Sequence, residues 1–317
     1  MNASQTLPDE FLKRLQQIIP PEKIHDVLNS FSEDKPITFR VNTVKVTTES
    51  VKKQLFMHDI LATQVPWYPD AFVLDPSQTK ETLMASELYK NGSLYIQSLS
   101  SMIPPLVIDP QPNQLICDLT AAPGSKTTQL AALMENTGTI IANDISRTRI
   151  YKLLSNLAAA GVTNTQTLTF PGQALWKKYP NFFDSVLVDA PCTMEGRFTT
   201  KDPLSFADWK PKKVKLLSKL QKYLLWSAFS ATKPGGTIIY STCTLEPEEN
   251  EAVVEWLLQK EGDRIVVEPI DLDIADRQAG LTTWKKKHFS PEMPKTLRVL
   301  PSKIMEGFFV AKLQKIT

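Results

Sequence analysis

The amino-acid sequence predicts an α/β fold in which a small α+β domain precedes a Rossmann-like, doubly wound parallel sheet. From about Leu83 onward, short β-rich runs alternate with helical segments, which is typical of such a sheet. Before that point, helical and extended segments follow one another without regular alternation. The 317 residues are 42% hydrophobic and 22% charged, a composition typical of globular proteins, and the chain is long enough for two domains.

The first part of the chain has the pattern of a small mixed domain. Its predicted segments are helices at 9–19, 21–31 and 49–57 and extended stretches at 36–46 and 71–74. The polar stretch Asp75–Thr82 separates this region from the alternating one. We therefore place an accessory domain at residues 1–78 and the main domain at residues 79–317.

The main domain is predicted to contain seven strands and four helices. The strands are Leu115–Asp118, Thr139–Asn143, Gln166–Phe170, Ser185–Val188, Thr237–Tyr240, Ile265–Glu268 and Gly307–Leu313. The helices are Lys126–Met134, Arg147–Ala160, Lys212–Ala231 and Pro247–Gln259. Ligands of a doubly wound sheet bind beyond the carboxyl ends of its strands, so the residues that follow each strand are the candidate site.

The loop after the first of these strands has the composition of a ligand-binding turn. Its small residues, which lead directly into the helix at Lys126, are Thr120, Ala121, Ala122, Pro123, Gly124 and Ser125. A tight turn of this kind lets backbone N–H groups approach a ligand closely. The loop contains neither GxGxxG nor GxxxxGK[ST], which excludes a dinucleotide fingerprint and a P-loop. A plain turn between strand and helix is the alternative interpretation.

Asp144 follows the next strand along the chain. At that position a carboxylate can accept hydrogen bonds from the two hydroxyls of a ribose. The same carboxylate would also stabilise the positive end of the helix that begins near Ser146. The two interpretations are compatible.

Three cysteines occur, too few and too widely spaced for a disulfide framework. Cys117 lies inside a strand and is expected to be a buried hydrophobic residue. Cys192 ends the motif DAPC at residues 189–192, and Cys243 lies in STCT at residues 241–244. Both motifs follow predicted strands, so we expect two reduced thiols at one crevice with the carboxylate of Asp189 beside them.

Such a pair of thiols suits methylation of carbon 5 of a cytosine. Carbon 5 is a weak nucleophile until another group adds to carbon 6, and a thiolate performs that addition well. After methylation the proton on carbon 5 and the thiol must leave, which requires a second acid–base group nearby. Because the target atom is hidden in a stacked helix, we expect a flipped or single-stranded cytosine.

The chain resembles the Nop/Sun (Fmu-type) family of S-adenosylmethionine-dependent RNA cytosine-C5 methyltransferases, and most strongly its bacterial 16S rRNA enzymes. The motifs that carry the likeness are TFRVNT at 38–43, AAPGSKT at 121–127, DAPC at 189–192 with EGR at 195–197, STCT at 241–244 with EENE at 248–251, and GFFVA at 307–311. The resemblance implies the class I methyltransferase form of the Rossmann-like sheet. It also implies that the first domain is RRM-like and binds RNA.

The resemblance implies a role for individual residues. Cys243 attacks carbon 6, Cys192 promotes release of the methylated base, and Asp189 contacts the cytosine. Residues Thr120 to Lys126 hold S-adenosylmethionine together with Asp144, Arg149 and Asp189, and Lys126 reaches toward the active site. In DNA cytosine methyltransferases the Pro-Cys cysteine is the attacking one, so the second cysteine of this chain favours RNA.

Two positions depart from the family pattern. Relatives carry an aspartate for the adenine amino group after the third strand, but this chain has TFPG at 169–172, and Pro171 offers neither a carboxylate nor an N–H. Thr193 and Met194 replace the usual Ser-Gly. Adenine recognition and the pocket entrance are therefore expected to differ, and a catalytically idle RNA-binding or ribosome-assembly factor stays an alternative.

Two lysine-rich segments are candidates for RNA contact. One face of the helix predicted at 212–231 carries Lys212, Lys215, Lys219 and Lys222, which can contact phosphates or form a solvated helix face. The run Lys285-Lys286-Lys287 is flanked by Trp284 and His288, and an aromatic ring there can stack on a base.

Other protein classes find little support. The histidines His25, His58 and His288 are far apart, so no metal site is expected. Residues 1–10 lack a signal-peptide pattern and no 18 apolar residues run together, so no membrane contact is expected. We expect a cytoplasmic monomer that binds S-adenosylmethionine and RNA, ribosomal RNA rather than tRNA, with DNA as the less favoured substrate.

Overall fold

The computed structural model describes residues 6–317, and it has the predicted α/β architecture with a small sheet followed by a large one. Residues 1–5 of the predicted accessory domain lie outside the described residues. Over residues 6–317, no helix has the length and apolar character that crossing a bilayer would require. In the same range no group of three or more His, Cys, Asp or Glu side chains is arranged to hold a metal ion.

The N-terminal region contains a four-stranded antiparallel sheet in the order β2-β3-β1-β4. In chain order its elements are α1 (Asp9–Ile18), α2 (Ile24–Ser30), β1 (Thr38–Val41), α3 (Thr48–Met57), β2 (Ala62–Val65), β3 (Tyr68–Leu74), α4 (Lys80–Ala85), α5 (Glu87–Lys90) and β4 (Leu94–Ile96). Phe39 and Phe72 stack in its core with ring centroids 5.5 Å apart. The sheet therefore extends to Ile96, and the boundary between residues 78 and 79 stays a prediction.

The first two helices pack on the core of the large domain, whereas α3, α4 and α5 pack on the small sheet. Phe11 of α1 lies edge-on to Phe198 and Trp209, with centroids 5.2 and 5.8 Å away. Arg14, on the same helix, forms a buried ion pair with Glu246. The apolar face of α1 is thus buried against residues that lie almost 200 positions later in the chain.

The remaining elements form a nine-stranded mixed sheet with helices on both faces. In chain order they are α6 (Leu99–Ile108), β5 (Leu115–Asp118), α7 (Ser125–Leu133), β6 (Thr139–Asn143), α8 (Arg147–Ala160), β7 (Thr165–Leu168), β8 (Phe183–Asp189), α9 (Pro211–Ala231), β9 (Thr232–Thr242), α10 (Glu251–Glu261), β10 (Ile265–Glu268), β11 (Arg277–Ala279), β12 (Thr283–Trp284), β13 (Lys287–His288), β14 (Leu297–Val299) and β15 (Phe308–Lys315), of which β12 and β13 form a separate hairpin. Strands β9-β8-β5-β6-β7 are parallel in that order, and β15 joins antiparallel to β9. The carboxyl ends of five strands therefore meet at one edge.

Several predictions of secondary structure were wrong in identifiable ways. Helix α6 was missed because Pro104 and Pro105 lie inside it. The helix predicted at Pro247 begins only at Glu251, because the Asn250 side chain binds the Thr242 hydroxyl and the Thr244 carbonyl and ends the preceding turn. Cys117, as predicted, is fully buried.

Candidate active site

The two cysteines meet at the end of neighbouring parallel strands. Strand β8 ends at Asp189 opposite Ser241 of β9, so the loops that follow leave the sheet side by side. The Sγ atoms of Cys192 and Cys243 are 3.2 Å apart, and both side chains are partly exposed. The predicted pairing of the two thiols is present in the structure.

The two sulfur atoms lie in different electrostatic environments. The hydrogen bond with Cys243, together with burial and nearby acidic side chains, raises the pKa of Cys192 well above its ordinary value, so this thiol keeps its proton. Arg197 lies on the Cys243 side: burial disfavours its cation, but the negative charges of Glu306 and Cys243 outweigh that cost and raise its pKa. Arg197 thus places a positive charge on the Cys243 side of the pair.

The residues after each cysteine are bonded to each other and to buried acids. The hydroxyls of Thr193 and Thr244 are 3.3 Å apart. Glu249 accepts the Thr193 N–H at 3.2 Å, and Glu195 accepts the Thr244 hydroxyl. The two cysteine loops are thereby held as one unit.

These acids are deep in the protein. Burial, followed by the charge of Glu195, raises the pKa of Glu249 to about 9. Burial also raises the pKa of Glu246 to about 8, although its hydrogen bond with Arg14 opposes that shift. Glu249 lies before α10, and its carboxyl group binds the loop of Cys192.

Asp189 lies between the cysteines and the loop after β5. Lys126 donates to its Oδ2 at 2.6 Å, and the Ser241 hydroxyl donates to its Oδ1 at 2.9 Å. Lys126 is buried, donates also to Ser101 at 2.8 Å and lies 5.6 Å from the centre of the Phe308 ring. The orientation of the Asp189 carboxyl group is thus fixed from two sides.

The loop after β5 turns sharply into α7 through Gly124, which has a φ of 109°. That positive φ favours glycine, and a Cβ there would also crowd a methyl carbon of Leu153 at 2.8 Å. Asn156 donates to the carbonyl of Pro123 at 2.8 Å, and Arg149 donates to that of Ala122. Helix α8 therefore holds this loop from its outer side.

Asp144 is almost completely buried at the end of β6. Its Oδ1 accepts the Ser146 N–H at 2.9 Å, as expected for a carboxylate at the start of α8. Its Oδ2 lies 3.0 Å from Arg149 but receives no hydrogen bond of good geometry within residues 6–317. That oxygen is available to a ligand hydroxyl.

A cavity of about 480 Å³ joins these groups. Its lining residues are Leu119, Thr120, Ala122, Asn143, Asp144, Ile145, Arg149, Gly172, Gln173, Asp189, Ala190, Pro191, Cys192, Met194, Leu220, Leu224 and Cys243. Ala121, Pro123, Gly124, Ser125 and Lys126 do not line it and form its supporting turn. Both cysteines and five of the predicted cofactor residues thus share one space.

Some lining residues escaped the sequence analysis. Ile145 follows a strand closely and is 66% exposed although it is large and apolar. An exposed apolar residue at this position indicates a ligand-binding surface. Gln173 follows Pro171 by two residues and lines the cavity. Its side-chain amide offers the donor and acceptor groups that Pro171 lacks.

The two lysine-rich segments lie outside this cavity, and one part of their interpretation was wrong. Trp284 is only 4% exposed and packs between Arg14 and Lys285, with ring distances of 5.3 and 5.2 Å. Its ring is therefore not free to stack on a base.

Comparison with known proteins shows which family the chain belongs to. Residues 105–314 match the family model described as 16S rRNA methyltransferase RsmB/F, and residues 7–99 match the N-terminal domain of 16S rRNA methyltransferase RsmF. The chain belongs to the RsmB/F family. The resemblance read from the sequence motifs is thus confirmed.

Curated relatives and solved structures agree with that membership. Ribosomal RNA small subunit methyltransferase F of Shewanella amazonensis is 37% identical over 98% of this chain, and the protein of that name from Salmonella agona is 35% identical over 98%. The chain spans 64% of the length of each. A methyltransferase homolog from Pyrococcus horikoshii has 31% identity and a TM-score of 0.84, covering 98% of this chain and 95% of its own.

The RsmB/F family uses S-adenosylmethionine, and the cavity fits that group. The Oδ2 of Asp144, which accepts no hydrogen bond of good geometry within residues 6–317, suits a ribose hydroxyl. Ile145 adds an apolar surface for a flat ring.

Proposed function

We propose that this chain is an RNA methyltransferase that methylates carbon 5 of a cytosine in small-subunit ribosomal RNA. The observation that supports it most is the pair of thiols 3.2 Å apart in a cavity that also contains Asp144 and the loop after β5. The names of the curated relatives support ribosomal RNA over tRNA. We place the reaction in the cytoplasm, where ribosomal RNA is accessible.

In this proposal, S-adenosylmethionine supplies an electrophilic methyl group when it is bound. Asp144 and Arg149 hold its polar parts, and residues 120–126 form the turn beside it. Gln173 takes over the recognition of adenine that Pro171 cannot perform.

Cys243 acts as the nucleophile. Its thiolate adds to carbon 6 and forms a carbon–sulfur bond, which raises the electron density on carbon 5. Asp189, fixed by Lys126 and Ser241, contacts the polar edge of the cytosine.

Cys192 acts in the release step. While both thiols are free, its hydrogen bond to Cys243 is the largest cause of its raised pKa. Once the Cys243 sulfur is bonded to carbon 6, that cause is gone, the pKa of Cys192 falls, and its thiol can give its proton to solvent and become the thiolate that acts as the base. Cys192 then takes the proton from carbon 5, the carbon–sulfur bond breaks, and Cys243 leaves as a thiolate.

Two substitutions test this assignment. We expect Cys243→Ala to abolish transfer of a radiolabelled methyl group to ribosomal RNA, and Cys192→Ala to accumulate a protein–RNA adduct visible on a denaturing gel. Cys117→Ala is the matched control, because this cysteine is buried inside β5 and does not line the cavity. Near-normal turnover in Cys243→Ala would refute the proposed nucleophile.

The idle RNA-binding factor is separated from the enzyme by calorimetry with S-adenosylmethionine. An idle factor would bind none at millimolar cofactor, whereas the lining of the cavity supports binding.

A further inference from the structure

The two lysine-rich segments, separated by more than 60 residues in the chain, line one groove on the surface. This lysine groove has a volume of about 660 Å³, and its lysines are Lys215, Lys219, Lys222, Lys285, Lys286 and Lys287. The first three lie on α9, and the other three lie on the hairpin of β12 and β13.

The charge in the groove is not neutralised by its walls. Glu248 is the one carboxylate among its described lining residues. That carboxylate is already bound by Arg14 at 2.6 Å and by Lys285 at 3.1 Å. The remaining five lysines therefore face a space without a counter-charge from the lining.

The lysines of the helix and of the hairpin are close enough to affect each other. Burial lowers the pKa of Lys222, and the charge of Lys287 lowers it further. Holding like charges this close costs free energy, which an anionic ligand would recover.

The groove lies next to the candidate active site, on the other side of α9. Leu220 and Leu224 of this helix line the cavity of the two cysteines, whereas Lys215 and Lys219 line the groove. A helix with its side chains is about 10–12 Å across, a distance that a few nucleotides of one strand can cover. The ridge between the two spaces exposes Leu216 and Tyr223, which are 69% and 47% accessible.

We propose that the lysine groove binds the phosphate backbone of the substrate RNA, a few nucleotides from the cytosine in the cysteine cavity. The ligand is a polyanionic strand, held through its backbone and independently of its base sequence. This inference rests on the proposed RNA methylation and adds to it the surface that positions the strand.

The test replaces three exposed lysines that have no ion-pair partner in the groove. The variant Lys215→Gln/Lys219→Gln/Lys286→Gln removes charge from both walls and leaves the cysteine cavity unchanged. The control Lys53→Gln/Lys178→Gln/Lys303→Gln removes three equally exposed lysines elsewhere. Binding of a fluorescent fragment of small-subunit ribosomal RNA is measured over a range of salt concentrations.

We expect the groove variant to bind this RNA about tenfold more weakly, or worse, at physiological salt, with the slope of log K against log[salt] reduced by about two to three. Its affinity for S-adenosylmethionine and the binding of the control variant should match those of the unmodified chain. In the unmodified chain, RNA should protect Lys215, Lys219 and Lys286 from acetylation and leave Lys53 reactive.

Unchanged RNA affinity and salt slope in the groove variant would overturn the inference and would assign the groove to another anion, such as an acidic protein segment. Absence of lysine protection would overturn it as well. Failure of the proposed function would give a different result. The unmodified chain would then bind RNA without methylating it, whether or not the lysine groove contributes to binding.

Discussion

Glu249 illustrates at the scale of a single residue how a buried acid holds a reactive loop. Its carboxyl group accepts the Thr193 N–H and an amide N–H of Gln221 at 3.2 and 2.6 Å. Gln221 in turn donates to the carbonyl of Pro191 at 2.8 Å. The backbone on both sides of Cys192 is therefore held by one side chain and its neighbour.

The same carboxyl group makes stability depend on pH. Its pKa rises from an ordinary 4.5 to about 9 on folding, mainly through burial. The stabilisation by its proton is complete below pH 4.5 and is lost as the pH rises toward 9. We expect the melting temperature of the unmodified chain to fall between pH 6 and pH 9. The melting temperature of Glu249→Gln, whose side chain cannot titrate, should fall by a few degrees less over the same range. Thermal melts at several pH values measure this.

The exposed Glu49 gives the control for that series, since its carboxylate is largely in solvent. Glu49→Gln should follow the unmodified chain at every pH. Parallel melting curves for Glu249→Gln and the unmodified chain would contradict the assigned protonation.

At the scale of elements, the loop of Cys192 is packed against the start of β15. The Gly196 N–H donates to the carbonyl of Cys243 at 3.0 Å, and the Gly307 N–H donates to the carbonyl of Gly196 at 3.0 Å. A Cβ at residue 196 would lie 1.9 Å from the Gly307 oxygen, so the backbones can approach this closely only with glycine.

We expect Gly196→Ala to separate the two cysteine loops, with a loss of activity of at least about tenfold and a destabilisation of a few kcal/mol. Radiolabelled methyl transfer and chemical denaturation measure the two effects. Gly235→Asn is the control, because no atom lies within 4 Å of a Cβ there and asparagine tolerates its positive φ of 78°. Full activity in Gly196→Ala would show that the spacing of the loops does not matter.

At the scale of the whole molecule, Arg40 connects the small sheet to the candidate active site. It is buried on β1, where burial lowers its pKa, and it donates to Gln97 at 2.9 Å and to the Thr128 hydroxyl at 2.7 Å. A further bond of 3.2 Å reaches the carbonyl of Ser125 at the start of α7. The small sheet thus supports the turn that we propose lies beside the cofactor.

We expect Arg40→Met to weaken binding of S-adenosylmethionine about three- to tenfold and to destabilise the fold by about 1–3 kcal/mol, because buried acceptors lose their donor. Calorimetry and denaturation measure these effects. Arg277→Met serves as the control, since this exposed arginine donates only to the carbonyls of Leu272 and Ile270. Unchanged cofactor affinity in Arg40→Met would mean that the small sheet does not act on the site.

Local patterns predicted the elements that carry the site. The bounds of β5, β6 and α8 agree with the structure, because short apolar runs and a capped amphipathic helix are encoded within neighbouring residues. Helix α6 and the late start of α10 were not predicted. In the first, packing overrides the low helix propensity of two prolines, and in the second, a side-chain network ends the turn.

By itself the sequence determined that the thiols of Cys192 and Cys243 meet, since parallel strands bring their carboxyl ends to one edge. Only the tertiary structure decided that α1 covers the acids behind these loops and that α9 and a distant hairpin enclose one lysine groove. These contacts join residues that are far apart in the chain, and their positions depend on how whole helices and strands pack together. No periodicity or spacing along the chain encodes them.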